Sequence, residues 1–175
     1  MATKVSVEEP SRGGAIGAFI FWAIAGTLSL ITIALRQLPG WEWIARVLVF
    51  LIAAGIVFAS LKRASDRRRR GIPDNPPGIF DPWTIVHTTA GFFMGVWGVP
   101  LPLVAIFTVG WEIFEYLVPG FGDNELVANR AMDVIVAWVG WAIAAGAIAL
   151  ITNTPMPLLL PASQSLVRDA GLHLF

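Results

Sequence analysis

Apolar residues run along this chain in long blocks, and polar residues gather in the short stretches between them. The first block is residues 15–35, "AIGAFIFWAIAGTLSLITIAL". At about 1.5 Å of rise per residue, a helix of that length crosses a hydrocarbon core of about 30 Å. "RQLPGWEW" then predicts a tight turn, with Trp41 and Trp43 placed for an interfacial aromatic belt. A second block covers residues 43–61; Arg46 near its start can snorkel or pair with Glu42 one turn earlier. "KRASDRRRRGIPDNPPGIFDP" reads as a basic cluster followed by a Pro/Gly loop. A third block (83–99), the turn "VPLP", a fourth block (102–117), the loop "VPGFGDNE" and a fifth block (127–151) follow. The last residues are broken by proline and too short to span again, so they are expected to lie along the surface or dock on a partner. No internal repeat is evident.

This pattern predicts an all-α fold: a polytopic integral membrane helical bundle of about five transmembrane helices. Residues 1–14 form a cytoplasmic N-terminal segment and 15–61 a two-span N-terminal hairpin. Residues 62–82 form a basic Pro/Gly cytoplasmic loop, 83–151 a three-span bundle and 152–175 a Pro-rich apolar outside tail. Small residues four apart (Gly91 and Gly95, Gly140 and Ala144, Ala142 and Gly146) are expected at close helix contacts.

Composition supports the bilayer reading. Of 175 residues 56% are apolar and 14% charged, against about 25% charged in a soluble domain, and mean hydropathy is +0.70. The absence of cysteine excludes a disulfide framework, a thiol nucleophile and a thiolate metal site. The first apolar block is too long for a signal-peptide core and lacks a clear small-residue cleavage site, so it reads as retained. Net charge is zero, but its distribution is lopsided. Five spans place Lys4, Arg12, Lys62, Arg63, Arg67, Arg68, Arg69, Arg70 and Arg130 on one side, and Arg36, Arg46 and Arg168 on the other. That bias predicts a cytoplasmic N-terminus and an outside C-terminus in a bacterial cytoplasmic (inner) membrane. "RRRR" then serves as a topology signal, with contact to anionic membrane lipids as a second role. No aromatic residues interleave it, so nucleic acid is not an expected partner.

With this topology, polar residues from three spans fall at similar depth near the cytoplasmic face. Thr84 and His87 are three apart, Glu112 and Glu115 three apart, and Asn129 and Asp133 four apart, so each pair shares a helix face. Some have ordinary explanations. Asp81 before Pro82 fits an N-cap; Glu115 can reach water; Asp123 and Glu125 fit loop or capping positions. Thr84 and Thr88 are the nearby hydroxyls, and Thr within a span usually bonds its own backbone. His87, Glu112 and Asp133 are harder to dismiss, because an ionisable residue inside a membrane is costly and marks a functional site by default. His87 or Asn129 bonded to Glu112 and Asp133 would staple the helices, with Asp81, Thr84 and Asn129 as a structural polar cluster. Alternatively His87, Glu112, Glu115 and Asp133 are candidate catalytic or metal-ligating residues. One nitrogen with several carboxylate oxygens suits zinc, manganese or iron. His87 is also the candidate ligand for a pigment or haem. Crowded carboxylates call for a neutralising group: His87, Arg130 or a metal. His173 lies on the opposite side and cannot join them.

"DPWTIVHTTAGF", "WEIFEYL" and "GDNELVANRAMDVIVAWVG" together resemble a group of small, poorly characterised bacterial membrane proteins. These show an Asp-x-Trp/Tyr-Thr-x-x-His-x-x-x-Gly-Phe segment, a Trp-Glu-x-x-Glu segment and a Gly-Asp-x-x-x-Asn-x-x-x-Asp segment. The matching residues are Asp81, Trp83, Thr84, His87, Gly91, Phe92, Trp111, Glu112, Glu115, Gly122, Asp123, Asn129 and Asp133, with extra residues between Asp123 and Asn129. A more distant likeness is to VanZ-like membrane proteins. The resemblance covers about residues 79–145 and implies a shared membrane fold without a settled reaction. Two functions are therefore expected. One is an accessory or scaffold subunit of a larger membrane assembly, suggested by small size, eight Trp and an apolar tail. The alternative is a membrane-embedded, metal-dependent enzyme acting on a lipid or lipid-linked substrate at the cytoplasmic leaflet.

Overall fold

The computed structural model describes residues 12–34, 40–72, 79–118 and 125–158. Among them there is no strand. Five helices follow in order: α1 (Arg12–Ala34), α2 (Gly40–Arg69), α3 (Thr84–Val96), α4 (Leu101–Leu117) and α5 (Val127–Thr152). The protein is all-α. Residues 1–11, Asp123, and residues 159–175 with Arg168 and His173 lie outside the described residues.

Helix boundaries follow local chemistry. At the start of α3 the Asp81 carboxylate accepts the Trp83 and Thr84 amides at 2.7 and 3.1 Å, and the Thr84 hydroxyl accepts the Asp81 amide at 3.1 Å. Asp81 thus satisfies amides that have no partner within the helix. Pro102 sits in the first turn of α4, where a missing amide costs nothing. Asn153 closes α5 in the left-handed conformation, φ 52°.

Helices α1 and α2 start three residues earlier than expected, at Arg12 and Gly40, and two C-terminal boundaries differ by more than one residue. Helix α2 does not stop at residue 61 but continues through "KRASDRRR". That run is basic but holds no Gly or Pro, and Arg, Lys and Ala are good helix formers; the first breaker is Gly71, φ +70°. Helix α3 ends at Val96 rather than 99, because the chain turns at Gly98 (φ +68°) before Pro100. Its 13 residues reach about 20 Å, and the 17 residues of α4 about 26 Å. Among the described residues, two segments are long and apolar enough to cross a membrane, Gly40–Arg67 and Val127–Thr152, which contain 18-residue stretches of mean hydropathy 2.5 and 2.4.

The centre of the fold is the α3–α5 pair, which is held by glycine. A Cβ on Gly91 would lie 1.8 Å from the Ala137 carbonyl oxygen, and one on Gly95 2.5 Å from that of Trp141. From the other side, a Cβ on Gly140 would lie 2.5 Å from the Thr88 oxygen. Residue numbers rise together along this contact, so α3 and α5 run parallel. Ala144 joins the seam; Ala142 and Gly146 do not, contrary to expectation. Ala142 is exposed and a Cβ on Gly146 would meet nothing within 4 Å. They lie on the turn of α5 rotated away from Ala137, Gly140, Trp141 and Ala144.

Helix α4 packs on α5, α2 on α3, and α1 on α4. Residues 97–100 form a buried turn in which Val99 is fully covered and its carbonyl accepts the Trp141 indole N–H at 2.8 Å. Residues 154–158 fold back over this turn: the Leu101 amide donates to Pro157 O at 2.9 Å, and Met156 packs on the core. The first residues of the expected outside tail therefore dock on the chain itself. Arg46 does not snorkel. It is buried, paired with Glu42 at 2.5 Å, and its Nε donates to Val96 O at 3.0 Å, capping the end of α3. Trp43 also turns inward, edge-on to Trp97 at 6.0 Å, while Trp41 stays exposed.

Candidate functional site

The parallel α3–α5 contact brings the first two turns of both helices level, and α4 delivers its last two turns to the same place. On α3, Thr84 and His87 lie on the face toward α5. Thr88 bonds its own helix, donating to Thr84 O at 2.7 Å. Asp133 is buried to 1% exposure; its Oδ1 accepts the Thr84 hydroxyl at 3.2 Å and its Oδ2 faces Asn129 Nδ2 at 3.3 Å. Asn129 Nδ2 also faces Asp81 Oδ2 at 3.3 Å and bonds Glu125 Oε1. An amide carries two N–H groups, so three carboxylates compete for two protons. Asp81, Thr84, Asn129 and Asp133 thus form one hydrogen-bonded layer across the start of α3 and α5.

His87 lies above that layer and between two acids. Its Nδ1 is 3.7 Å from Glu112 Oε1, and its Nε2 is 3.8 Å from Asp133 Oδ2. Both distances exceed hydrogen-bond range. Among the described residues, neither Glu112 carboxylate oxygen has a hydrogen-bond partner, although its side chain is only 9% exposed. Glu115 completes the α4 side, holding the Trp111 indole N–H one turn earlier. Trp111 in turn packs against Phe114, Phe21 and Trp22, which fixes its ring. Arg130 donates to the Glu112 carbonyl at 3.2 Å, lies 3.5 Å from Glu125 Oε2 and sits 5.6 Å from the centre of the Tyr116 ring.

The structure therefore brings His87, Glu112 and Glu115 together, with ligand atoms within 4.8 Å of one another. Asp133 touches the same imidazole from the far side and belongs to the hydrogen-bonded layer. Two participants were not assigned to the centre from the sequence. Glu125, assigned to the loop, sits four residues before Asn129 and eight before Asp133, so a one-face spacing was there to read. Trp111 carries the same signal, four residues before Glu115. Glu125 precedes α5. Burial pushes its carboxyl above the ordinary range, the Asn129 bond and Arg130 oppose that, and Asp81 adds to it. Five carboxyl groups thus surround one imidazole and one guanidinium, a set of donors suited to a cation.

No protein-family model, curated protein or solved structure matches this chain.

Proposed function

We propose that this chain is an integral membrane protein of five spans in a bacterial cytoplasmic membrane, with its N-terminus inside, and that it serves as an accessory or scaffold subunit of a larger membrane assembly. The observation that carries this reading is the placement of α1 and α2. They pack on opposite partners, α4 and α3, instead of chiefly on each other. In the apolar 18-residue stretch of α2 only 6% of the residues are buried by the rest of the chain, and Leu48, Leu51, Ile52 and Phe58 are all exposed. Apolar surface of this extent is unfavourable in water at about 25 cal/mol per Å². It suits lipid, or the helices of a partner. Short α3 and α4 are compatible with five spans because the buried 97–100 turn and residues 154–158 fill the outer leaflet around them.

Glu112 favours a second reading, a membrane-embedded, metal-dependent enzyme acting on a lipid or lipid-linked substrate at the cytoplasmic leaflet. A buried carboxylate without a partner is the kind of group a reaction centre retains. Purification from native membranes in mild detergent separates the two. Stable co-purifying membrane proteins support the subunit; a chain that runs alone at every detergent concentration refutes it. Reporter fusions at Arg70 and Phe175 test the topology, with a cytoplasmic signal expected from the first only. Cytoplasmic signal from both overturns the odd number of spans.

A further inference from the structure

We infer that the centre between α3, α4 and α5 binds a divalent cation through His87 Nδ1, Glu112 and Glu115, with Asp133 as the acceptor that orients the imidazole. The inference is independent of the subunit role; it rests on the geometry of the centre.

A purely structural lock would close these groups on one another through hydrogen bonds. His87 instead stands 3.7 and 3.8 Å from its two acids, and among the described residues nothing donates a hydrogen bond to the buried Glu112 carboxylate. A proton on Glu112 would remove its charge but leave its oxygens unpaired, which still costs free energy in a dry site. A cation removes both problems at once. In a tetrahedral shell with ligand distances near 2.1 Å, donors stand about 3.4 Å apart. The three donors here lie within 4.8 Å, so modest side-chain rotation closes the shell.

The surroundings have the form of an outer shell. Metal-bound imidazole nearly always donates its second N–H to a carboxylate or carbonyl, which fixes the tautomer. Asp133 stands at Nε2 and is itself held by Thr84 and Asn129. Trp111 holds Glu115. One nitrogen and two carboxylates, with no sulfur, fit zinc, manganese or ferrous iron, and three protein ligands leave a position open. Half-buried Glu115 is the ligand closest to the end of α4.

The test uses the full chain in detergent, stripped with a chelator and reloaded with Zn(II) or, separately, Co(II). About one equivalent of zinc per chain should remain after gel filtration. Co(II) should give visible d–d bands of a nitrogen–oxygen set. His87→Ala and Glu112→Gln should each cut bound zinc more than tenfold, whereas Asp133→Asn should retain the site with affinity weakened about 10–100-fold. A variant that fails to fold would lose metal trivially, so the wild-type chain supplies the second measurement. Zinc should raise its unfolding temperature, because it binds only the folded site. Reloaded wild type holding under a tenth of an equivalent, or no cobalt bands, overturns the inference. So does folded Glu112→Gln that keeps its zinc. A chain that binds zinc but no partner protein retires the subunit reading alone, and a partnered chain without zinc retires this one alone.

Discussion

Replacing Gly91 by alanine should separate α3 from α5 and disable the polar centre from a distance. The added Cβ would stand 1.8 Å from Ala137 O and 2.6 and 2.7 Å from the carbonyl carbon and Cα of the same residue. Ordinary contact begins at 3.4 Å, so the helices must part by about 1.6 Å at this point. All three obstructing atoms are backbone, so no side-chain rotation relieves the clash. Overpacking of this kind costs about 1–3 kcal/mol, and the upper end applies here. The Thr84–Asp133 bond, now 3.2 Å, lies two turns away and would be stretched, adding about 1 kcal/mol. Alanine returns about 1 kcal/mol of helix propensity. The net expectation is a loss of about 3 kcal/mol. Gly146→Ala is the matched control: it meets nothing within 4 Å and should be neutral or stabilising by up to about 1 kcal/mol. Both variants are compared with wild type by reversible denaturation in detergent, followed by the helical circular dichroism and the summed fluorescence of the eight tryptophans. If the two substitutions shift the midpoint alike, the seam is not where the structure puts it.

Other expectations follow from single contacts. Arg46→Met removes the donor to Val96 O and strands the buried Glu42 carboxylate; a cost of about 3–5 kcal/mol is expected, most of it recovered in the Arg46→Met/Glu42→Leu double variant, as a double-mutant cycle would show. Trp141→Phe leaves the fully buried Val99 carbonyl without its 2.8 Å donor and should cost about 1–3 kcal/mol in the same denaturation assay. Glu125 gives a pH signature. Its folded-state pKa is raised above the unfolded value, chiefly by burial, so its contribution to stability is fully present below the ordinary carboxylate range and is lost as pH rises through the raised value. Unfolding midpoints measured across that window should fall less steeply in Glu125→Gln than in wild type; parallel curves would refute the assignment.

The centre was legible from the sequence because its spacings are local. His87 three after Thr84, Glu115 three after Glu112 and Asp133 four after Asn129 each fix a face, and the placement of Lys and Arg levels the three faces. What the spacings do not fix is rotation about each helix axis. Asp133 therefore shares the spacing of the candidate ligands yet lies across the imidazole from Glu112, and Ala142 and Gly146 share the small-residue spacing without making the contact. Trp43 was misplaced for a related reason: an indole beside a turn suits an interface equally well in sequence, and only the packing of Trp97 draws it inside. The end of α2 is not legible in the change from apolar to charged residues, because that change does not break a helix. Charge sets where a helix meets water; Gly and Pro set where it stops.

That unbroken helix matters for how the protein presents charge. Thirty residues of α2 rise about 45 Å, so in a bilayer of about 30 Å hydrocarbon thickness two or three turns stand clear. Lys62 and Arg69 are then separated by about 10 Å along a rigid axis, which exceeds the screening length of about 8 Å at physiological salt. Cations on a loop would average over positions and act as one diffuse cloud. On this post each keeps its own altitude: in a bilayer the lower ones would sit within the field of the lipid headgroups, and the upper ones would be screened from it and face water.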